Sequence, residues 1–323
     1  MYEPLVNAHS EPEFHDLREH IMDLFGEGLN AQAVEAARRA WVRYPARGEI
    51  PFWIACGLSL LGRHGQAIMV LEQAVGQGLW WDSEWLEHDD DLAPLRSRPE
   101  FAGIVGRSSR LREIYLSSHT PRTIVRTPDP HATEALPAVV ALHGWGGRAE
   151  DFVESWRPLL ASGWTVVAPE SSQVLSPEFF VWTDRATAGL DLAAAYRQVC
   201  SDYLIDEHRL IAAGFSQGGG VAVSSALGGQ PFPATRFMVF GTGISDVDPV
   251  ALQSLDHAAN RQVRGWMAIG QDDPALADAI GLRDELDGHG IDCRLEIMAH
   301  AGHTIPADSA GLMRQGVDFL FGP

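Results

Sequence analysis

The chain has 323 residues, with 24 basic side chains against 43 acidic ones and a formal net charge of -19. Every basic residue is an arginine, which excludes a Schiff-base lysine, a phosphate-binding P-loop lysine and a Ser-Lys dyad, since each needs an ammonium group. The acidic balance argues against a surface that holds nucleic acid or an anionic membrane broadly, because both require a positive field.

With 46% hydrophobic and 21% charged residues the composition is that of a globular protein, and the length suggests two domains. Cys56, Cys200 and Cys293 are widely spaced and odd in number, so they form neither a disulfide framework nor a metal knuckle. The N-terminal Met1-Tyr2-Glu3-Pro4 lacks the basic-then-apolar order of a signal peptide, and no apolar run reaches the roughly 18 residues of a membrane span. A cytoplasmic location is the expectation.

Residues 12 to about 107 read as helices. At an offset of 34 residues Gly28 falls on Gly62, Ala33 on Ala67, Val34 on Ile68, Ala37 on Leu71 and Ala40 on Ala74. A glycine turn followed by an alanine-rich helix at this period resembles the tetratricopeptide repeat, in which small residues let paired helices pack closely. A third, degenerate unit is expected from Trp81 to Phe101. Its run Asp89-Asp90-Asp91 reads as a solvated turn or helix N-cap in preference to a metal site, and Trp80, Trp81 and Trp85 as packing for the stack.

Pro121, Pro128, Pro130 and Pro137 then interrupt the helical pattern. The expected division is an all-α helical-repeat domain over 1–112 and an α/β domain over 113–323. After an opening strand at 123–127, apolar runs of the kind buried in a parallel sheet lie at 138–142, 164–168, 210–213, 237–240, 266–269 and 293–298. Helical stretches at 150–160, 186–203, 217–227, 249–260, 274–287 and 307–320 separate them. That alternation predicts an α/β fold with a doubly wound, mostly parallel sheet, whose sites form at the carboxyl ends of its strands.

Directly after the 210–213 strand comes Gly214-Phe215-Ser216-Gln217-Gly218, followed by a helix. Gly-x-Ser-x-Gly at a strand–turn–helix junction is the pattern of a nucleophile elbow, where flanking glycines remove the Cβ atoms that would clash. The bare pattern arises by chance about once in five chains of this composition, so its context carries the weight. A serine hydroxyl needs a histidine base, itself oriented by a carboxylate, and in this arrangement the chain order is serine, acid, histidine. His303, in the loop after the 293–298 strand, is the expected base, and His300 a structural or pocket-lining residue. The 266–269 strand runs into Asp272-Asp273-Pro274, where Asp273 is the better acid, Asp272 stands close behind, and one of the pair serves as helix N-cap. Asp246 is a weaker third option, and Asp206 reads as a turn residue. An oxyanion hole needs two backbone donors: the Gln217 amide, and the Trp145 amide in His143-Gly144-Trp145-Gly146-Gly147 after the 138–142 strand. His143 itself reads as a buried, loop-stabilising residue.

With these residues in place, the segment from about 120 to 323 resembles the α/β-hydrolase superfamily. Within it, the resemblance is to the phospholipase/carboxylesterase group of bacterial esterases akin to acyl-protein thioesterases. The resemblance rests on the 142–147 loop, on Ile205 to Ile211 leading into Gly214 to Gly219, on Pro169-Glu170-Ser171-Ser172-Gln173 with Trp182, on Gly270 with Asp273-Pro274, and on Gly302-His303. Dienelactone hydrolases are similar but carry cysteine where this chain has Ser216. The resemblance implies a Ser216, Asp273 and His303 triad, no metal or cofactor, and hydrolysis of a small-molecule ester through an acyl-enzyme. An acyl thioesterase or lysophospholipase of the same mechanism is the alternative.

Gly144, Phe180 and Trp182 are expected at the substrate site, with Phe179, Phe180 and Trp182 forming either an acyl pocket or flap, or plain packing. The helical domain is expected either to limit access to that site or to bind a protein partner or a second copy; a non-catalytic interaction protein is the rival class. Residues 1–115 hold 11 arginines against 18 acids and the remainder 13 against 25, so both parts are acidic, which favours neutral or cationic esters.

Overall fold

The computed structural model describes residues 11–322; the segment 1–4, read above for a signal sequence, lies outside the described residues. The chain divides into two compact units. The first runs to His119 and takes in Val174–Phe179, and the second comprises Thr120–Gln173 and Phe180–Pro323.

The first unit is built from α1 (Glu11–Gly26), α2 (Asn30–Arg43), α3 (Glu49–Leu60), α4 (His64–Gly76), α5 (Ser83–His88), a 3-10 turn (Asp90–Leu95) and α6 (Pro99–Ser118). The 34-residue offset is present in the backbone. The Leu29 N–H bonds to Leu24 O and the Arg63 N–H to Leu58 O, each at 2.8 Å, closing the same turn twice. Gly28 and Gly62 sit at φ of +72° and +71°, a left-handed conformation that a side chain resists. Ala33, Ala37 and Ala40 of α2 and Ala67, Leu71 and Ala74 of α4 are buried in one core with α3, as close packing requires.

In place of a third repeat stand α5, the 3-10 turn and the longer α6. Asp89 caps the 3-10 turn, its Oδ1 accepting the Asp91 N–H at 3.0 Å. Trp81 is fully buried and donates Nε1–H to Gly48 O at 2.8 Å, while Trp85 stacks on Phe52 with centroids 4.3 Å apart. The change of unit falls after His119, beyond the expected 112/113 boundary, because α6 continues unbroken to Ser118 and buries Phe101, Ile104 and Ser108.

The second unit contains β1 (Thr123–Arg126), β2 (Leu136–Leu142), α7 (Ala149–Ser155), α8 (Arg157–Ala161), β3 (Thr165–Pro169), β4 (Gln173–Ser176, whose last three residues count with the first unit), β5 (Phe179–Val181), α9 (Arg185–Asp202) and β6 (Ile205–Phe215). These are followed by α10 (Ser216–Gly228), β7 (Arg236–Phe240), α11 (Pro249–Leu252), α12 (Leu255–Asn260), β8 (Arg264–Gly270), α13 (Leu276–Gly288), β9 (Cys293–Met298) and α14 (Ala310–Phe321). The main sheet has the order β1-β3-β2-β6-β7-β8-β9, parallel throughout except for the antiparallel edge pair β1–β3.

Strand alternation splits its core in two. Ala138, Val140 and Leu142 face one apolar layer, with residues of α9, α10 and α13, while Val139 and Ala141 face the other, with α7, α8 and α14. The expected 150–160 helix is two short helices that part at Trp156, ahead of Pro158, a residue suited only to a helix's first turn. Between β2 and β6 the strand order reverses direction, and in open α/β sheets ligands bind at the carboxyl ends of the strands at such a point. No helix among the described residues is long and apolar enough to cross a membrane.

Candidate active site

Both strands flanking the reversal point end in the motifs singled out from the sequence. β6 passes directly into α10, and Ser216, the first residue of that helix, sits at φ +52°. A non-glycine residue in that region is strained, and such strain gathers at functional sites. The turn is possible because two neighbours lack Cβ. A Cβ on Gly214 would lie 2.6 Å from the Gly218 carbonyl, and one on Gly218 would lie 2.2 Å from His143 O and 2.4 Å from Leu142 O. Backbone atoms on both sides cannot yield. Gly218→Ala is therefore expected to lower stability by about 3 kcal/mol or more in denaturant unfolding. Gly228→Ala, at a position of the same helix with open space around it, should stay within about 1 kcal/mol of the parent.

His303 and Asp273, 30 positions apart, meet beside this turn. His303 Nδ1 lies 2.8 Å from Asp273 Oδ2, and the imidazole packs on the ring of Phe215, the residue before Ser216, with centroids 4.7 Å apart. Asp273 is buried and its other oxygen accepts the Ala275 N–H at 2.8 Å, so one carboxylate both forms the turn ahead of α13 and holds the histidine. The two aspartates do not divide these tasks: Asp272 is exposed and uses its backbone N–H on Ala301 O. His300 is an exposed turn residue at φ +57°. Asp246 lies in the loop after β7, its Oδ2 accepting the Gly243 N–H at 3.0 Å, and burial holds its carboxyl pKa above the ordinary value. Asp206, expected as a turn residue, lies instead in the half-exposed beginning of β6 and pairs with Arg209 at 2.7 Å.

After β2 the chain turns through Gly144–Gly147, closed by a Gly147 N–H to Gly144 O bond of 3.0 Å, with Gly146 at φ +71°. Trp145 projects from this turn and is 38% exposed. Gly144 is buried, and a Cβ there would come within 2.9 Å of the Phe215 ring.

Phe180 and Trp182, expected at the substrate site, are spent on packing. Trp182 is fully buried, its Nε1–H donating to His143 O at 3.0 Å and its backbone N–H to Gln217 Oε1 at 2.8 Å. The Phe180 carbonyl accepts the Gly146 N–H at 2.9 Å. These ties between β5, the 144–147 turn and the residue after Ser216 are not part of the sequence reading, which takes the aromatics of 179–182 for a pocket, a flap or packing.

His143 is fully buried, its Nδ1 2.9 Å from Gly144 O and its ring 4.9 Å from that of Trp182. Burial pushes its pKa down to about 4. Because the folded state resists protonating this group, the unfolded chain binds more protons between about pH 4 and the free value of 6.5, and stability falls as pH drops through that window. The shift corresponds to about 3 kcal/mol. Chemical denaturation at pH 7 and pH 4 is expected to show a pH-dependent loss in the parent that is smaller by about that amount in His143→Gln.

Among the described residues one group carries metal-ligand atom types close together, Cys56, Asp89 and Asp91 in the first unit, within 4.8 Å of one another. Burial and the two neighbouring carboxylates push the Cys56 thiol well up, so it is a protonated donor to Asp89 (3.8 Å) and ill-suited to bind a cation as thiolate.

No protein-family model matches the sequence, and no curated protein sequence does. Among solved structures, an uncharacterized protein from Bacillus cereus ATCC 10987 is similar over 97% of this chain and 99% of its own, at 18% identity and a TM-score of 0.50. Esterase PE8 is similar over 61% of this chain and 98% of its own, at 22% identity and a TM-score of 0.49. The Bacillus cereus carboxylesterase is similar over 65% and 99%, at 16% identity and a TM-score of 0.47. At these identities the likeness is one of fold.

Proposed function

We propose that this protein is a serine hydrolase that cleaves carboxylic esters of small molecules through an acyl-enzyme, with Ser216 as nucleophile, His303 as base and Asp273 as the orienting acid. The observation that carries the reading is the Asp273–His303 pair of 2.8 Å, set against Phe215 at the mouth of a strained serine turn. Asp273 holds the proton of His303 on Nδ1, which leaves Nε2 free to accept the Ser216 proton as Oγ attacks the ester carbonyl. Carbonyl π electrons move to oxygen, and the Gln217 and Trp145 amides stabilise the negative charge, each donor contributing about 3 kcal/mol. Gln217 is well placed by position alone, since the first four N–H groups of a helix have no intrahelical acceptor.

The tetrahedral intermediate collapses by expelling the alcohol, which takes the proton from His303. Water, deprotonated by the same imidazole, then releases the acid and restores Ser216.

The helical unit reads as tetratricopeptide-like, supported by the backbone turn repeated at 34 residues. Ester hydrolysis is tested with a panel of nitrophenyl esters of graded acyl length. A burst of nitrophenol equal to the enzyme concentration, followed by slower turnover, is the expected record. No release above background from any ester in the panel would remove the reading.

A further inference from the structure

The two amides assigned to the oxyanion hole lie on separate pieces of chain, Trp145 in the turn after β2 and Gln217 in the first turn of α10. Trp182 bonds to both pieces. Its indole Nε1–H donates to His143 O at 3.0 Å, two residues ahead of Trp145, and its backbone N–H donates to Gln217 Oε1 at 2.8 Å. All four residues belong to the second unit. Trp182 is fully buried, its ring 4.9 Å from that of His143, whose Nδ1 is in turn 2.9 Å from Gly144 O. The two pieces also abut: a Cβ on Gly218, the residue after Gln217, would lie 2.2 Å from His143 O. A buried indole N–H needs an acceptor, and many carbonyls would serve. Here the acceptor is the backbone that leads into the oxyanion turn.

We propose that Trp182 is a positioning residue that sets the spacing of the two oxyanion donors, with the Gln217 side chain as its second tie. Both amides must reach one oxygen at about 2.7–3.1 Å, so their separation counts as much as the place of either. A misplacement of about 1 Å at a reacting group costs up to about a hundredfold in rate. Because the oxygen takes up its charge only in the transition state, the loss falls on kcat and not on KM. The kinetic part rests on the esterase reading above; the brace itself does not.

The test uses the full chain. Trp182→Phe keeps an aromatic ring and the backbone N–H but deletes the indole donor. Gln217→Met keeps the length of the side chain but deletes the acceptor. Trp266→Phe is the control: Trp266 is fully buried in β8 of the same unit, and among the described residues its Nε1 has no hydrogen-bond partner. In ester turnover, kcat per Ser216 titrated by a fluorophosphonate is expected to fall about tenfold in Trp182→Phe and in Gln217→Met, with KM within about twofold of the parent. The double variant should also lose about tenfold, not a hundredfold, since either break releases the same spacing. Trp266→Phe should stay within about twofold in both constants.

Hydrogen exchange followed by mass spectrometry is expected to quicken about tenfold over 143–148 in Trp182→Phe and over 180–184 in Gln217→Met, and to stay unchanged at both segments in Trp266→Phe. Equal loss of kcat in Trp266→Phe, losses that multiply in the double variant, a loss carried by KM, or unchanged exchange in the two single variants overturns the proposal. Should Trp182→Phe not fold, Gln217→Met decides by the same two readouts. A parent chain that turns over no ester sinks the functional reading instead, and the exchange data then decide whether the brace exists.

Discussion

Ser216→Ala is expected to lower ester turnover by about 10⁴- to 10⁶-fold, leaving only the residual rate that binding and oxyanion donors supply. The size follows from the roles proposed above: a chain without Oγ would form no acyl-enzyme, and His303 and Asp273 would have no covalent step to assist. Stability should separate from activity at this position. Ser216 pays for its φ of +52° in the folded state, and alanine inherits the same strain, so the melting temperature of Ser216→Ala should stay close to that of the parent. Glycine tolerates the conformation, and Ser216→Gly should be as inactive as the alanine variant yet more stable by about 0.5–1 kcal/mol. A residue kept at a conformational cost that a non-functional substitute would relieve is the signature of a site selected for chemistry. Differential scanning calorimetry of the three proteins beside their turnover rates checks both halves.

The second large effect is expected at Asp273. Asp273→Asn keeps the shape and the acceptor for the Ala275 N–H, but its amide prefers to donate toward Nδ1. That turns His303 to the tautomer with its proton on Nε2, where it can no longer accept from serine. kcat should fall by about 10⁴-fold with KM little changed. Asp272→Asn, one residue earlier but exposed and bonded only through its backbone, should remain within about threefold of the parent. Equal losses at the two positions would mean that the charge of the loop, and not the single carboxylate–imidazole bond, supports the base.

The choice between these two aspartates shows where reading the sequence runs out. Gly-Gln-Asp-Asp-Pro marks a loop that carries an acid, but which carboxylate turns inward depends on the turn closed by Asp273 Oδ1 on the Ala275 N–H. The parallel strands were legible because strands covered on both faces are short continuous apolar runs, as at 138–142 and 237–240. β6 was seen only over 210–213, since Ile205–Arg209, its half-exposed beginning, carries charges and no apolar run.

The hairpin of β4 and β5 lacks a turn signal. Its two-residue turn is Pro177-Glu178, and Glu178 takes φ +67° where glycine or asparagine would have announced the turn. Phe179, Phe180 and Trp182 therefore read equally as pocket or flap aromatics and as packing, and their burial favours the packing. The helical repeat was half legible. The glycine turns at 28 and 62 fix the period, while the third unit lacks such a turn at the matching position and folds as α5, a 3-10 turn and α6.

The central claim is that Ser216 is an activated nucleophile, and mapping a covalent adduct tests it without knowledge of the natural substrate. The chain is treated with a fluorophosphonate, digested, and the modified peptide identified by mass spectrometry. One adduct per chain is predicted, on Ser216, formed far more slowly in His303→Ala and in Asp273→Asn. An adduct on another residue, equal labelling of Ser216→Ala, or no adduct on the parent chain would contradict the account.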